Sequence, residues 1–458
     1  MKIRPGIRNV TTVIVFLLLN ISFGYGQELV ESDSTITRDP DTTEEKITEE
    51  GKKTPPSFWN TYVFGPLRLR LSYEVAYKFT RPDRIRKNRF SLGLKYSKSL
   101  SDHISLQAET KLFSFLKSDH RTRPTELWMN DKSTAVDIAF GSLTRDAYIQ
   151  ASIRKTSIKL GMQTVDWGES EFAIVTNEIS PLDYREPLNL NVDELRFAQL
   201  MLMVDQYTSF GNWTVFFNPA PRFNQHPKPG TAYYIDPFNG SVEYQMEQQR
   251  GFFFETGFRW KKTFGKSDVS VMAARLINND YAVRLVKPGL MLQRKEPYFI
   301  SGATFNYAIK NFLIKGEAAM KFSKTFNDAA FQVVKRNAFD ASLGVDYTVN
   351  STLTLGLEAV NYHIMDRDNE VVGLPKNNYM ILFVLSKKLK NDDLSINCVT
   401  MYNGPYSSFF NLLTASYNWN DHVTTDFYLN FPVTNNEKSG FYRYRDEKLL
   451  GLTFQYQF

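Results

Sequence analysis

Cysteine is nearly absent. Cys398 is the only one in 458 residues, so neither an intramolecular disulfide nor a cysteine-based metal cluster can form. It lies on the apolar parity of a strand, where it packs or meets lipid. Long apolar runs are missing as well. After the N-terminus no stretch approaches the roughly 20 apolar residues that a helix needs to cross a bilayer, which excludes α-helical spans. No cysteine follows the predicted signal cleavage site, so the chain is not a lipoprotein. Histidine is scarce: His103, His120, His226, His363 and His422 are all there are, none sits in a nucleophile motif, and no Gly-x-Ser-x-Gly occurs. An enzyme needs a nucleophile and a base held together, so catalysis is the lesser reading. The formal charge of +6 has no compact Lys/Arg motif behind it, so nucleic acid is not an expected partner. Asp366, Asp368 and Glu370 mimic the start of an EF-hand loop, but Val371 stands where the sharp turn needs glycine. No metal and no cofactor are expected.

Aromatic residues, in contrast, are abundant. They make up 14% of the chain, with 36 Phe and 24 Tyr, while the mean hydropathy is only −0.35. The last residues show how both can hold. Leu450, Leu452, Phe454, Tyr456 and Phe458 share one parity, and Gly451, Thr453, Gln455 and Gln457 the other. A strand sends alternate side chains to opposite faces, so this segment has one oily and one wet face. A strand closing a barrel in lipid has this pattern. It also resembles the C-terminal signal recognised by the bacterial outer-membrane barrel assembly machinery. The first strand repeats it, with Leu67, Leu69, Leu71, Tyr73, Val75, Tyr77 and Phe79 against Arg68, Arg70, Ser72, Glu74, Ala76, Lys78 and Thr80. Facing Arg70, Glu74 and Lys78 into a dry core would be prohibitive, whereas an aqueous lumen accepts them. Glu255 and Arg259 oppose Phe254, Phe258 and Trp260; Lys315, Glu317 and Lys321 oppose Phe312, Ile314, Met320 and Phe322. Trp213, Trp260 and Trp419 fall close to short turns, where an interfacial aromatic girdle belongs.

The N-terminus carries an address. Lys2, Arg4 and Arg8 precede an apolar core from Val13 to Leu19, and Gly24-Tyr25-Gly26 supplies small residues for cleavage, so residues 1–26 are a predicted signal peptide. Residues 27–57 hold nine acids and four bases and close on Pro55-Pro56; a disordered, acidic periplasmic tail is expected. These segments carry +3 and −5 of the formal +6, which leaves +8 on residues 58–458. A basic lumen or contact with anionic outer-membrane lipid and lipopolysaccharide suits that excess.

Between the first and last strands, short connections (near Ser101-Asp102, Lys155, Phe210-Gly211, Lys266, Lys310-Asn311, Asn350-Ser351, Asn391-Asp392 and Trp419-Asn420) alternate with long ones (117–144, 166–197, 219–249, 279–297, 324–335, 366–375 and 432–446). One long slot holds only Gly404-Pro405-Tyr406. The expected fold is all-β: a transmembrane antiparallel up-and-down β-barrel of about 18 strands (16–18) over 58–458, with a polar lumen and long outer loops. Strands are placed near 88–100, 103–116, 145–155 and 156–165, and Ala135 to Phe140 is a candidate for one more.

The most distinctive stretch begins Arg145-Asp146-Ala147-Tyr148, runs through Gly161-Met162-Gln163-Thr164-Val165-Asp166-Trp167-Gly168 and Asn177-Glu178-Ile179-Ser180-Pro181-Leu182-Asp183, and reaches Asn218-Pro219. With Gly316-Glu317-Ala318-Ala319 and Gly344-Val345-Asp346-Tyr347, it resembles a large family of Gram-negative outer-membrane barrels of unknown function. Alginate-export and phosphate-selective porins look like more distant relatives. The resemblance implies a transport barrel, with an export partner in the periplasm or inner membrane that handles lipids or other hydrophobic molecules.

Loops 166–197 and 219–249 are the candidate constriction of a bore too wide for wall side chains to fill. The first carries Trp167, Gly168, Glu169, Asn177 and Asp183; the second brings Arg222, His226 and Lys228; Glu255, Arg259, Lys315 and Glu317 face them from the wall. Two arrangements stay open, loops folded inward or loops capping the outside. Trp167 is an interfacial anchor or a wall for solute, and Gly168 a bend where the strand leaves the membrane. Glu169, Glu171, Glu178, Asp183, Glu186, Asp193 and Glu194 have no recognisable ligand spacing and are taken as a solvated acidic loop rather than a Ca²⁺ site. The expected function is an outer-membrane porin or transport channel for a small or amphipathic, lipid-like solute. The alternatives are an outer-membrane enzyme of the lipase or acyltransferase kind, or a surface adhesin.

Overall fold

The structure, a computed structural model, describes residues 58–458 except 117–118, 120–125, 128–137, 171–172, 189–194, 230, 232, 237, 239, 368–370 and 372. By contacts the chain divides into Met1–Pro55 and Pro56–Phe458, and the described residues all belong to the second unit. The predicted signal peptide and acidic tail lie outside them.

Alternating polarity does what it predicts. Eighteen antiparallel strands, from Leu67–Lys78 to Leu449–Gln457, each pair with the next, and the last pairs with the first over Lys78↔Leu449 to Arg70↔Gln457. Closure leaves the barrel without an edge strand. Both ends of the barrel chain lie at the end with the short turns. Strand 84–99 begins four residues before the expected start, and residues 138–140 extend the strand Ile138–Ile153 rather than making another. The strand expected over 156–165 stops at Gln163, where the chain turns away from the wall.

Outward residues are bulky, apolar and exposed, as Phe258, Phe299, Leu343, Leu357, Leu452 and Phe454 show. At the turn end Trp213 packs on Trp260 at 6.4 Å and Tyr417 on Trp419 at 4.8 Å, as an interfacial girdle requires. Inward residues include Lys78, Lys87, Arg89, Glu255, Glu317, Lys321 and Asp340, all buried. A charge on the outer face should disrupt this. Phe454→Arg, on the closing strand opposite Tyr73 and Thr425, is expected to cost about 2–4 kcal/mol, seen as a lower melting temperature of the compact band in semi-native electrophoresis.

The inner face is not polar throughout. Met201, Met203, Phe216, Met272, Leu276, Tyr298 and Ile300 point inward and are buried against Val165, Trp167, Val175 and Ile179 of the long segment between strands Thr156–Gln163 and Gln199–Thr208. The physical reason is width. Wall side chains cannot fill a barrel of this strand number, so the segment supplies a second apolar surface for them to bury. At the loop end a small sheet joins Glu243–Met246, Leu290–Arg294 and Ala282–Lys287.

Candidate functional site

The centre of the site is a wall carboxylate. Glu317 points inward from strand Phe312–Asn327 and is buried. Its Oε1 accepts the amides of Glu169 and Ser170, each at 2.5 Å. Its Oε2 accepts the Thr176 amide at 3.1 Å and hydroxyl at 2.7 Å. Four donors on one carboxylate tie the segment to the wall. Gly168 makes room for them: a Cβ there would lie 3.0 Å from Glu317 Oε1 and 3.2 Å from Asn177 Cβ. The glycine is needed for close approach to Glu317, not for a bend at the membrane surface. Beside it Ser170 donates its hydroxyl to Glu358, and Asn177 donates to Asp166. Glu169 accepts from Asn306 at 3.1 Å, with Lys261 at 4.0 Å.

Trp167 is 3% exposed and meets Phe216 edge-on at 5.4 Å inside the barrel. It is therefore neither an interfacial anchor nor a wall presented to solute. It is the apolar counterpart of the Glu317 clamp.

A second clamp follows. Glu178 pairs with Lys321, and with Lys324 at 3.2 Å; Tyr298 donates its hydroxyl to Glu178 at 3.0 Å, and Lys321 also holds Asp340 at 2.5 Å. A third lies across the bore. Glu186 meets Lys87 at 2.9 Å and Arg89 at 2.7 Å, and Asn430 donates to the Leu188 carbonyl at 2.9 Å. Strand Arg84–Ser99 is the second of eighteen and Phe312–Asn327 the eleventh, nine positions apart, so the segment bridges opposite walls. Of the acids expected to be solvated, Glu178 and Glu186 are ion partners of inward lysines and arginines, Asp183 pairs with Arg185 of its own segment, and Glu169 is half-buried; Glu171, Asp193 and Glu194 lie outside the described residues. The basic excess of the barrel chain offers them counter-charges that water alone would not match once they are buried.

The other candidates are not gathered here. Lys315 is on the Glu317 face and pairs with Asp346 at 3.0 Å. Arg259 faces inward three strands away, and its Nε has no hydrogen-bond partner among the described residues. Glu255 accepts from Asn218 at 2.8 Å and from the Ile277 amide at 3.0 Å. Asp183 takes both ends of Arg185, at 2.9 and 2.8 Å. In the 219–249 loop, Arg222 lies 5.1 Å over the Phe197 ring, His226 bonds Asp280 at 2.7 Å, and Lys228 is exposed. That loop is tied inward by Tyr233, buried against Leu188 and Phe410, with Arg86 5.5 Å from its ring. Sequence reasoning missed the pairing of Glu178 and Glu186 and the roles of Ser170, Lys87 and Arg89. One signal was present: strands 199–208 and 211–218 are apolar on both parities in part, as strands covered on both faces are.

Two segment carboxyls titrate in opposite senses. Burial opposes ionisation of Glu178, but Lys321 and Lys324 outweigh it and hold its pKa down at about 2. Burial raises Asp183 to about 6 despite Arg185. The depressed Glu178 value stabilises the seated segment fully above pH 4.5 and loses that contribution as pH falls toward 2. The raised Asp183 value does the reverse: its contribution is full below 3.8 and lost as pH rises through about 6. Seating should be tightest near pH 4–5 and weaken by roughly 2 kcal/mol at pH 3. Protease cleavage within 164–198, followed against pH, should pass through a minimum there, and Glu178→Gln should remove the acid limb.

The wall and the segment leave a cavity of about 660 Å³ along strands 67–78 to 138–153 and 408–457, and a smaller one of about 300 Å³ beside Lys315, Glu358 and Val384.

No curated protein matches this chain. Solved structures do match in fold: OccAB1 of Acinetobacter baumannii (7% identity, 86% of this chain and 96% of that one, TM-score 0.52), OccK8 (OprE) of Pseudomonas aeruginosa (9%, 86% and 98%, 0.52), and OccAB4 of A. baumannii (10%, 86% and 97%, 0.51). The likeness is one of architecture, a porin-like outer-membrane barrel. The family described as "Protein of unknown function (DUF1302)" matches residues 108–457, which is most of the barrel, and the chain belongs to that family.

Proposed function

We propose that the protein is an outer-membrane channel for a small or amphipathic solute, with segment 164–198, overlaid by the 219–249 loop, as its constriction. The observation that carries this reading is the Glu317 clamp together with the Glu186 contacts on the opposite wall, which hold one segment across the bore. The segment is held both by these charged contacts and by its apolar packing on one wall. The solute passes beside it, through the cavity of about 660 Å³. Solute reaches the channel from an export partner in the periplasm or inner membrane, and the outer face is bathed in outer-membrane lipid and lipopolysaccharide. Three of the four described histidines have side-chain partners other than a hydroxyl or thiol: His226 bonds Asp280, His363 bonds Asn377 and His422 bonds the Gln457 carbonyl. Planar-bilayer recording of the purified barrel tests the proposal. Discrete, voltage-stable current steps are expected; a protein that inserts fully, keeps its strand content and passes no current, even when the segment is released, would refute it.

A further inference from the structure

The barrel wall is not of even height. Strand Thr156–Gln163 has 8 residues, and Gln199–Thr208 and Gly211–Asn218 beyond it have 10 and 8, while Phe312–Asn327 and Val333–Asn350 have 16 and 18. All of them run from the short turns, so the low stretch lacks its outer part. At about 3.3 Å per residue and a tilt of about 40°, a strand of 8 residues climbs about 20 Å, less than an apolar band of about 25 Å. The step is sharpest at strand Ile138–Ile153. On one side it pairs with Ile104–Leu116 as far as Ile138, but on the other its outermost pair with Thr156–Gln163 is Ala147↔Met162. Beyond Ala147, among the described residues only Glu126 and Leu127 pair with that second side.

Loop chain fills this notch in place of a ladder. Just past the end of Thr156–Gln163 the Val165 amide donates to Ser180 at 2.8 Å, and from there residues 180–183, 195–197 and 219–225 meet through two isolated bridges, Leu182↔Arg196 and Asp183↔Gln225. Irregular backbone at membrane depth must find partners without water, and side chains supply them. Gln199 accepts the Arg222 amide at 2.8 Å, Asn218 the Ala220 amide at 3.1 Å and Asn224 the Leu182 amide at 2.8 Å. Gln199 and Asn218 are fully buried. Directly inside, Phe197 packs with Phe113 and Leu143, and these two line the larger cavity together with Leu195. Loop chain alone therefore stands between the apolar corner of that cavity and the bilayer. Elsewhere its lining is polar, as Thr414, Ser416 and Asp426 show.

We propose that the notch is a side portal, through which the hydrocarbon chain of an amphipathic solute passes between the larger cavity and the outer leaflet. The polar head stays against the polar lining while the chain crosses at Leu143, Leu195 and Phe197. This rests on the channel reading and gives it a route and a solute class. A chain leaving by the open end of the bore would cross water, whereas the side route keeps it in apolar surroundings. Two bridges and a few side chains hold the plug, so its parting breaks no strand ladder.

The test uses the whole mature barrel in nanodiscs doped with palmitate that carries a diazirine at the end of its chain, irradiated and mapped by mass spectrometry. Leu143, Leu195 and Phe197, none of which faces the outer surface of the wall, should be labelled along with the lipid-facing Leu452. Asp183→Cys with Gln225→Cys, in a Cys398→Ala background, ties the two sides of the plug; bridge partners lie about 4.8 Å apart, within disulfide reach. Oxidation should cut labelling of the three inner residues about tenfold, leave Leu452 unchanged and be reversed by reductant. A bis-maleimide across the same two cysteines closes the plug where the disulfide does not form. Equal inner labelling with the plug closed would overturn the portal, because the probe would then enter by an end of the bore; so would the absence of inner labelling with the plug free. Ion current in planar bilayers is read separately: current without inner labelling keeps the channel and loses the portal, and labelling without current does the reverse. Heat-modifiable mobility of each variant separates lost access from lost folding.

Discussion

Glu317→Ala is expected to give the largest functional change available from one substitution, a several-fold rise in single-channel conductance with the barrel intact. The carboxylate accepts three backbone amides and one hydroxyl from the segment that bridges the bore. Removing it leaves those donors without partners, at about 1–3 kcal/mol for each that stays buried. The strand itself loses no ladder bond, because Glu317 pairs through its backbone with Thr304 and Ser342. The cost therefore falls on the segment and not on the wall. Glu317→Gln should lie between, since an amide keeps one acceptor oxygen and turns an NH₂ toward donors. Conductance and protease sensitivity of 164–198 should rise together. Unchanged conductance alongside a cleaved segment would show that the segment does not limit flow.

Lys321→Met should be the most destabilising substitution within the bore. Lys321 is 1% exposed and is held between Glu178, which is largely covered, and Asp340, which is buried. Methionine fills similar space and removes the charge, which leaves two carboxylates close together with Lys324 near only one of them. Breaking a buried pair in this way costs about 3–5 kcal/mol. The thermal midpoint should fall, and current noise should grow as the segment samples unseated positions. Glu178→Gln in the same chain should restore part of the loss, because one of the stranded charges is gone. A double variant no better than Lys321→Met alone would mean that the two residues are not energetically coupled.

How far the sequence could be read depended on which interactions are local. Parity along Leu67–Lys78 and Leu449–Gln457 decided that the chain forms amphipathic strands, because side-chain direction alternates by covalent geometry and lipid outside with water inside demands opposite chemistry on the two faces. Most of the short turns and long connections followed from the same pattern, and with them came the strand number; the connection expected at 324–335 is only 328–332, because strands Phe312–Asn327 and Val333–Asn350 run further. The opening residues of strand 84–99 were harder, since Arg86 and Lys87 look like loop residues until their carboxylate partners are known.

The site was legible in part. Trp167, Gly168, Glu169, Asn177 and Glu317 were singled out, and they do meet; Arg222, His226 and Lys228 stand elsewhere. What a single strand's pattern cannot contain is which charge lies across the bore. Glu186 and Arg89 are 97 residues apart, and Lys321 and Glu178 are 143. In sequence each is an ordinary surface charge. The amino-acid order alone thus determined an all-β barrel with an oily exterior and charges facing inward. Only the closed fold decided that segment 164–198 enters that interior, because burying its acids is favourable only where eighteen strands bring the matching lysines and arginines around them.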